Sequence, residues 1–314
     1  MSKVAIAVPI GIETGGPEAL HQLCHAIRGF GVDAYLIPWE GTENSKPVDA
    51  YSKYDAPIDT SLSPDTFLVV PETVPNMILK SKKSAIWWLS VDNSPLSQAA
   101  ASNFSLSRNE RGPDIHNLST GFWDKFHSSS VMHLTQSFYA KCFVEKTFDV
   151  PGRMLTDYIN KDDLKLNSGP SKDIVSFSLK GSDWFDFYRE MLNEYNCVQI
   201  RDMSKEKSME VLASSRLYVD LGGQPGRDRL PREAALLEAH VMLNNAGAAS
   251  FYWDAPLSAS FKFNVKDSYR AVEKIRTYLQ AKPKPNSSQL FYRNWTKGQY
   301  AAFKFEVWRF LKLI

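Results

Sequence analysis

The chain has 314 residues, 43% hydrophobic and 23% charged, a globular composition that excludes a disordered chain. Lys and Arg total 37 against 35 Asp and Glu, a formal charge of +2, so there is no broad basic field of the kind that draws nucleic acid. The three cysteines, Cys24, Cys142 and Cys197, are odd in number and far apart. They fit buried thiols in a reducing compartment rather than a disulfide framework or a zinc site.

The opening run Val4–Pro9 is too short for a signal-peptide core and predicts a first strand. No stretch of about 18 uninterrupted apolar residues occurs, so the expected setting is cytoplasmic with no membrane-spanning helix. Gly15-Gly16-Pro17-Glu18 opens a helix to about Phe30, with Pro and Glu at its start as helix N-terminal chemistry asks. Gly31 ends it and Val32–Pro38 is the next strand, completing one βαβ unit. Further strands are expected at Thr66–Val70, Ser84–Val91 and Val131–Thr135, the last followed by a helix over Phe138–Thr147. Residues 93–128, rich in Ser, Asn and Gly, read as long loops with short helices.

The polar segment Asn160–Lys172 reads as a linker, and after it the same grammar restarts. Strands are expected at Asp173–Leu179, Cys197–Arg201, Arg216–Leu221 and Val241–Asn244. Helices are expected at Trp184–Tyr195, Lys205–Ser214 and Pro231–His240. Apolar β-rich runs alternating with helical stretches define an α/β chain of two halves, 1–160 and 161–314. The tail from Gln289 to Ile314 is helical, aromatic and dotted with Lys297, Lys304, Arg309 and Lys312. Such a helix either packs across both lobes or lies on a membrane surface.

Three places carry candidate chemistry. Gly11-Ile-Glu13-Thr-Gly15-Gly16 follows the first strand and opens the first helix, where glycines admit a close ligand and free N–H groups meet an anion. A tight turn explains the same residues, and no GxGxxG is present. Ser176-Phe-Ser-Leu-Lys180-Gly181-Ser182-Asp183 repeats the pattern in the second half. A lysine at a helix N-terminus is locally unfavourable unless an anion, such as a phosphate, sits there; an exposed loop lysine is the alternative. The third place, Asp220 to Ala239, runs from a strand through a loop with Gly222, Gly223 and Gly226 into a helix. Arg227, Arg229 and Arg232 stand along it, either for bidentate phosphate contacts or in a surface network with Asp228 and Glu233.

Asp220–Ala239 resembles the donor-binding segment of GT-B glycosyltransferases, in which a strand and loop lead to a helix ending in a phrase like Leu236-Leu-Glu-Ala239. The resemblance implies two Rossmann-like lobes with a cleft between them and a C-terminal helix. Residues 1–160 would be the acceptor-side domain, and 161–314 the nucleotide-sugar donor domain. It implies that Glu238 bonds the nucleotide ribose and that Lys180 and Gly181 meet the donor phosphates. Gly15 and Gly16 would face the donor, and Gly223, Arg227 and Arg232 would complete its grip. One departure stands out: eight residues before Glu238, where an E-x7-E pattern requires an acid, the chain has Leu230. Glu233 then takes that role, or the donor is held differently. The Arg229, Pro231, Arg232, Glu233 run is similar to divergent bacterial surface-polysaccharide transferases, which points to lipopolysaccharide or capsule.

Candidate catalysts belong to the first lobe. Asp92, with Asn93, follows the Trp87-Trp88 strand, where open α/β sheets bind ligands, and Glu13 is its rival. Either carboxylate would take the acceptor's proton or offset positive charge on the sugar; a turn cap is the plain explanation of Asp92. The six histidines lack ligand spacing, and Asp162-Asp163 and Asp183/Asp186 do not form a metal-bridging DxD, so no metal and no cofactor are expected. The expected function is transfer of a sugar from a nucleotide-sugar donor to a glycan or lipid-linked glycan acceptor in surface-polysaccharide biosynthesis. A nucleotide-sugar epimerase and a non-catalytic carbohydrate-binding subunit remain as alternatives.

Overall fold

The computed structural model describes residues 3–39, 41–95, 131–164, 172–178, 184–281 and 286–314. The chain divides into two compact units, Met1–Asp157 with Ala301–Ile314, and Tyr158–Tyr300.

The first unit is built on six parallel strands: β1 (Val4–Val8), β2 (Ala34–Pro38), β3 (Phe67–Pro71), β4 (Ser84–Trp88), β5 (Val131–Thr135) and β6 (Gly152–Met154). Their order is β2-β1-β3-β4-β5-β6. Every residue of β1 to β4 is buried, which is why these strands read as continuous apolar runs instead of alternating ones. Helix α1 (Gly15–Gly29) follows β1, and α2 (Phe138–Phe148) follows β5. The hydroxyl of Ser137 accepts the Ala140 N–H at the start of α2, and Asp149 turns left-handed (φ 54°) at its end. Trp87 and Trp88 are fully buried, and each indole N–H has a partner: the Leu155 carbonyl at 2.7 Å and His133 Nδ1 at 3.1 Å. His133 is thereby a core residue.

The second unit has five parallel strands: β7 (Ile174–Phe177), β8 (Asn196–Gln199), β9 (Ser215–Asp220), β10 (His240–Asn244) and β11 (Lys262–Phe263). They are ordered β11-β10-β9-β7-β8. Helices α3 (Phe185–Met191), α4 (Lys205–Ala213), α5 (Arg229–Leu236) and α6 (Ser268–Gln280) connect them. In a parallel α/β unit the helices end where the strands begin, so that edge gathers the negative ends of helix dipoles. Cations meet them there: Lys172 donates to the carbonyls of Ala213 (2.5 Å) and Leu237 (2.8 Å), and Arg216 to that of Ala281 (2.7 Å).

Several expectations are corrected. The helix expected over Pro231–His240 starts at Arg229 and ends at Leu236; Glu238 turns left-handed (φ 69°), and His240 opens β10. The Ser84 strand stops at Trp88 because Val91–Asn93 form a 3-10 turn. The C-terminal helix α7 (Ser287–Leu311) was assigned whole to the second domain, yet its residues from Ala301 onward belong to the first unit. Most of the loop read at 93–128 lies outside the described residues.

Candidate functional site

Each sheet has one place where the strand order reverses, and open α/β sheets bind ligands beyond the carboxyl ends of the strands at that point. In the first unit it falls between β1 and β3, in the second between β7 and β9.

Beyond β1, the chain passes through Gly11 (φ 82°), where an added Cβ would sit 3.2 Å from the Lys46 carbonyl, so a side chain there is both strained and crowded. Glu13 is exposed in this loop. The loop is pinned just after it: the Tyr51 hydroxyl accepts the Thr14 N–H and pairs with the Thr14 carbonyl, both at 2.9 Å. Gly15 and Gly16 form the first turn of α1, and nothing lies within 4 Å of where a Cβ would stand on Gly16. Gly16 therefore leaves its side of the helix start open.

Beyond β4, Asp92 is exposed in the 3-10 turn and accepts a 2.8 Å hydrogen bond from the Tyr139 hydroxyl at the start of α2. Burial and then the Asp92 carboxylate push the Tyr139 hydroxyl pKa up. The ends of β1 and β4 are separated by β3, about 10 Å in all, so Glu13 and Asp92 stand on strand ends two spacings apart. Between them lies a residue the sequence did not single out. Glu72, 2% exposed, follows β3 and accepts the N–H groups of Leu89 (2.8 Å) and Ser90 (3.0 Å). Burial raises its pKa to about 7 against the opposing pull of those N–H groups. It fixes the backbone that leads into the Asp92 turn.

In the second unit Ser178, just past β7, and Asp220, ending β9, meet across the switch point: the Ser178 hydroxyl donates to Asp220 Oδ1 at 2.8 Å. Asp220 also accepts from the Gly222 N–H (3.0 Å), the Gln224 amide (3.3 Å) and the Tyr218 hydroxyl (3.3 Å). The 221–228 loop is clamped from its far side by Gly247 (φ 58°), where a Cβ would stand only 2.0 Å from the Gln224 carbonyl. The Ala248 N–H donates to that carbonyl at 2.7 Å. Glycine is obligatory at 247, and the Asn244-Asn-Ala-Gly247 run after a strand was the available signal.

The two arginines expected to grip phosphate serve the loop itself. Arg232, 1% exposed, donates Nε to the Asp228 carbonyl (3.0 Å), Nη2 to the Arg227 carbonyl (2.7 Å) and Nη1 to Gln299 Oε1 on α7 (3.0 Å). Arg227 donates Nε to Asp254 (3.0 Å) and Nη2 to the Trp253 carbonyl (3.1 Å), with its guanidinium 5.2 Å from the Trp295 ring centroid. Both side chains face inward because their hydrogen-bonding nitrogens are used to hold irregular backbone. Gly223 is exposed at the tip of the loop with open space at its Cα. Glu233 is buried midway along α5, with Arg229 Nε 3.7 Å away.

Glu238 is elsewhere. It follows the C-terminal end of α5, which places it at the strand-start edge, opposite the switch point. There it is exposed and pairs with Arg293 at 3.2 Å. The ribose contact expected of it is therefore corrected. Lys180 and Gly181 lie outside the described residues. Among the described residues no group of three or more His, Cys, Asp and Glu is placed to hold a metal ion, and no helix is long and apolar enough to cross a membrane.

Two doubly wound parallel sheets, each with a built polar loop at its switch point, define a GT-B-type fold. Solved structures of that fold are similar over nearly the whole chain. Sucrose-phosphate synthase from Thermosynechococcus elongatus has a TM-score of 0.55 at 9% identity, covering 98% of this chain and 94% of that one. T4 phage BGT in complex with its UDP-glucose substrate has a TM-score of 0.54 at 12% identity, over 99% and 98%. An E. coli trehalose-6-phosphate structure bound with UDP-2-fluoro glucose has a TM-score of 0.58 at 9% identity, over 99% and 98%. At these identities the likeness is one of fold. No family model and no curated protein matches the sequence.

Proposed function

We propose that the chain is a metal-independent glycosyltransferase that moves a sugar from a nucleotide-sugar donor to a glycan or lipid-linked glycan acceptor in bacterial surface-polysaccharide biosynthesis. The observation that carries this reading is the braced glycine loop at the switch point of the second unit, on a fold whose solved neighbours include complexes with UDP-glucose and UDP-2-fluoro glucose. In the proposed reaction the acceptor hydroxyl oxygen bonds to the sugar's anomeric carbon as the carbon–phosphate oxygen bond breaks. Asp92 or Glu13 takes the hydroxyl proton or offsets charge on the sugar. Glu233 holds the nucleotide ribose, and the N–H groups of the 221–228 loop, with Lys180, meet the departing phosphate's charge.

Calorimetry with UDP, GDP, dTDP, CMP, ADP, NAD and their common sugar conjugates tests the reading. One nucleotide is expected to bind, at least tenfold more weakly to Glu233→Gln, and equally well to Asp92→Asn or Glu13→Gln. Whichever of those two carboxylates is the proton acceptor loses about 10²–10⁴-fold in transfer rate when replaced. Binding of NAD alone, or of no nucleotide, rejects the proposal. Full transfer activity after exhaustive chelation is the expectation for metal independence, and loss restored by a divalent cation refutes that part.

A further inference from the structure

Helix α7 has two faces. One packs inward through Phe303, Val307, Phe310 and Leu311, all buried, with Phe310 edge-on to Phe67 at 5.6 Å between centroids. The adjoining face carries Lys297, Tyr300, Lys304, Phe305, Trp308 and Lys312, all exposed and recurring at helical spacing. Tyr300 is 49% exposed, Phe305 57% and Trp308 44%, an uncommon share for three aromatics on one helix face. Phe305 and Trp308 stack at 5.8 Å, and the Lys312 ammonium lies 5.7 Å from the Trp308 ring centroid.

The charge is one-sided. Between Ser287 and Ile314 the sequence has five cations, Arg293, Lys297, Lys304, Arg309 and Lys312, and one acid, Glu306. That acid is turned away from the aromatic face, since its Oε2 accepts both the N–H and the hydroxyl of Thr156 at 2.7 Å. The outer face is therefore aromatic and cationic with no acid on it. A second copy of the chain is a poor occupant, because a two-fold contact would set Lys297, Lys304 and Lys312 against their own equivalents.

We infer that the outer face of α7 docks on an anionic lipid bilayer, with Tyr300, Phe305 and Trp308 entering the interface and Lys297, Lys304 and Lys312 meeting the headgroups. Amphipathic aromatics favour that depth, and juxtaposed lysines supply the attraction to anionic lipid. The inference stands independently of the proposed reaction, since vesicle binding requires neither donor nor acceptor.

The test is cosedimentation of the full chain with vesicles of equal parts phosphatidylglycerol and phosphatidylcholine, against phosphatidylcholine alone. Wild type is expected in the pellet with the anionic vesicles only, and to be released as salt is raised. Lys304→Gln/Lys312→Gln should lower the partition coefficient about thirtyfold, from roughly fivefold for each lysine. Phe305→Ser/Trp308→Ser should lower it more than tenfold, and both variants should keep the wild-type melting temperature because only exposed side chains change. Brominated lipid should quench wild type more than Trp308→Phe. Wild type remaining in the supernatant, or pelleting unchanged in both variants, overturns the inference. So does a concentration-dependent dimer that Phe305→Ser/Trp308→Ser abolishes in a protein that ignores vesicles.

Discussion

Replacing Arg232 with alanine separates the two roles the residue was open to. The guanidinium's hydrogen bonds include two to backbone carbonyls and one to the Gln299 amide oxygen, from a position 1% exposed. Hydrogen bonds involving a charged group are worth about 1.5–3 kcal/mol each, so these three sum to about 4.5–9 kcal/mol before compensation. The variant no longer buries a cation, which returns part of that, and water entering the space left behind satisfies part of the rest. A net loss of about 3–4 kcal/mol follows, a large share of the roughly 5–15 kcal/mol typical of a folded domain. Urea unfolding followed by circular dichroism measures it. With a slope of about 1–3 kcal/mol per molar, the midpoint should fall by at least about 1 M. If the two units unfold in separate steps, only the step belonging to the second unit moves. Arg232→Lys keeps the charge but not the fork and should recover less than half of the loss. A midpoint within about 0.3 M of wild type for Arg232→Ala, together with lost nucleotide binding, would refute the assignment of Arg232 to the scaffold.

Other expectations follow from the same geometry. Gly247→Ala drives a Cβ to 2.0 Å from the Gln224 carbonyl at a positive φ, so it should cost at least about 3 kcal/mol or abolish soluble expression; a variant as stable as wild type would contradict that packing. Glu72 binds its proton more tightly folded than unfolded, with its pKa raised to about 7, so stability should fall as pH rises from about 4.5 to 7 and then level off. Denaturation midpoints across that range should show a slope in wild type that flattens in Glu72→Gln; identical slopes would remove Glu72 as its source. Glu238→Ala should leave nucleotide affinity unchanged, and Glu238→Gly, which suits the 69° φ, should be no less stable than wild type. A tenfold loss of nucleotide affinity in Glu238→Ala would return that residue to the site.

The legible parts of the fold were those whose burial is complete or nearly so. Val4–Val8, Phe67–Pro71 and Val131–Thr135 are short β-rich runs closed by turn residues, and a parallel sheet covered on both faces leaves such runs little else to form. Strands β6 and β11, three and two residues long, carry too few side chains to make a pattern. Helix length failed at α5 for a local reason: Ala234 to Ala239 contains only good helix formers, and the helix ends because Glu238 adopts a left-handed turn that feeds β10. Glu72 was invisible because nothing in a Pro-Glu-Thr sequence says that its carboxylate faces the N–H groups of Leu89 and Ser90, just past the end of the neighbouring strand. Residues joined across strands leave no spacing to read.

The hydrogen bonds of Arg227 and Arg232 point to how the 221–228 loop is built. Guanidinium groups and glycines side by side suggested a direct grip on phosphate, but the guanidinium groups bond the carbonyls of residues 227, 228 and 253 and the carboxylate of Asp254. Asp220 holds the start of the loop and Gly247 its flank, so a segment with several glycines is restrained from three directions. Glycine-rich backbone is costly to order, and a loop that must be ordered at the moment of binding loses affinity by that amount. Prior bracing by buried arginines moves the cost to folding. What then faces solvent is the backbone at Gly223, with open space about its Cα, and not a cationic side chain. A ligand met by fixed N–H dipoles depends on their orientation more than on net charge. Loss of a bracing arginine would therefore weaken ligand binding only through loss of the loop's shape. Its effect on affinity should track its effect on stability across Arg232→Lys, Arg232→Ala and Arg227→Ala, whereas a direct phosphate contact would break that correlation.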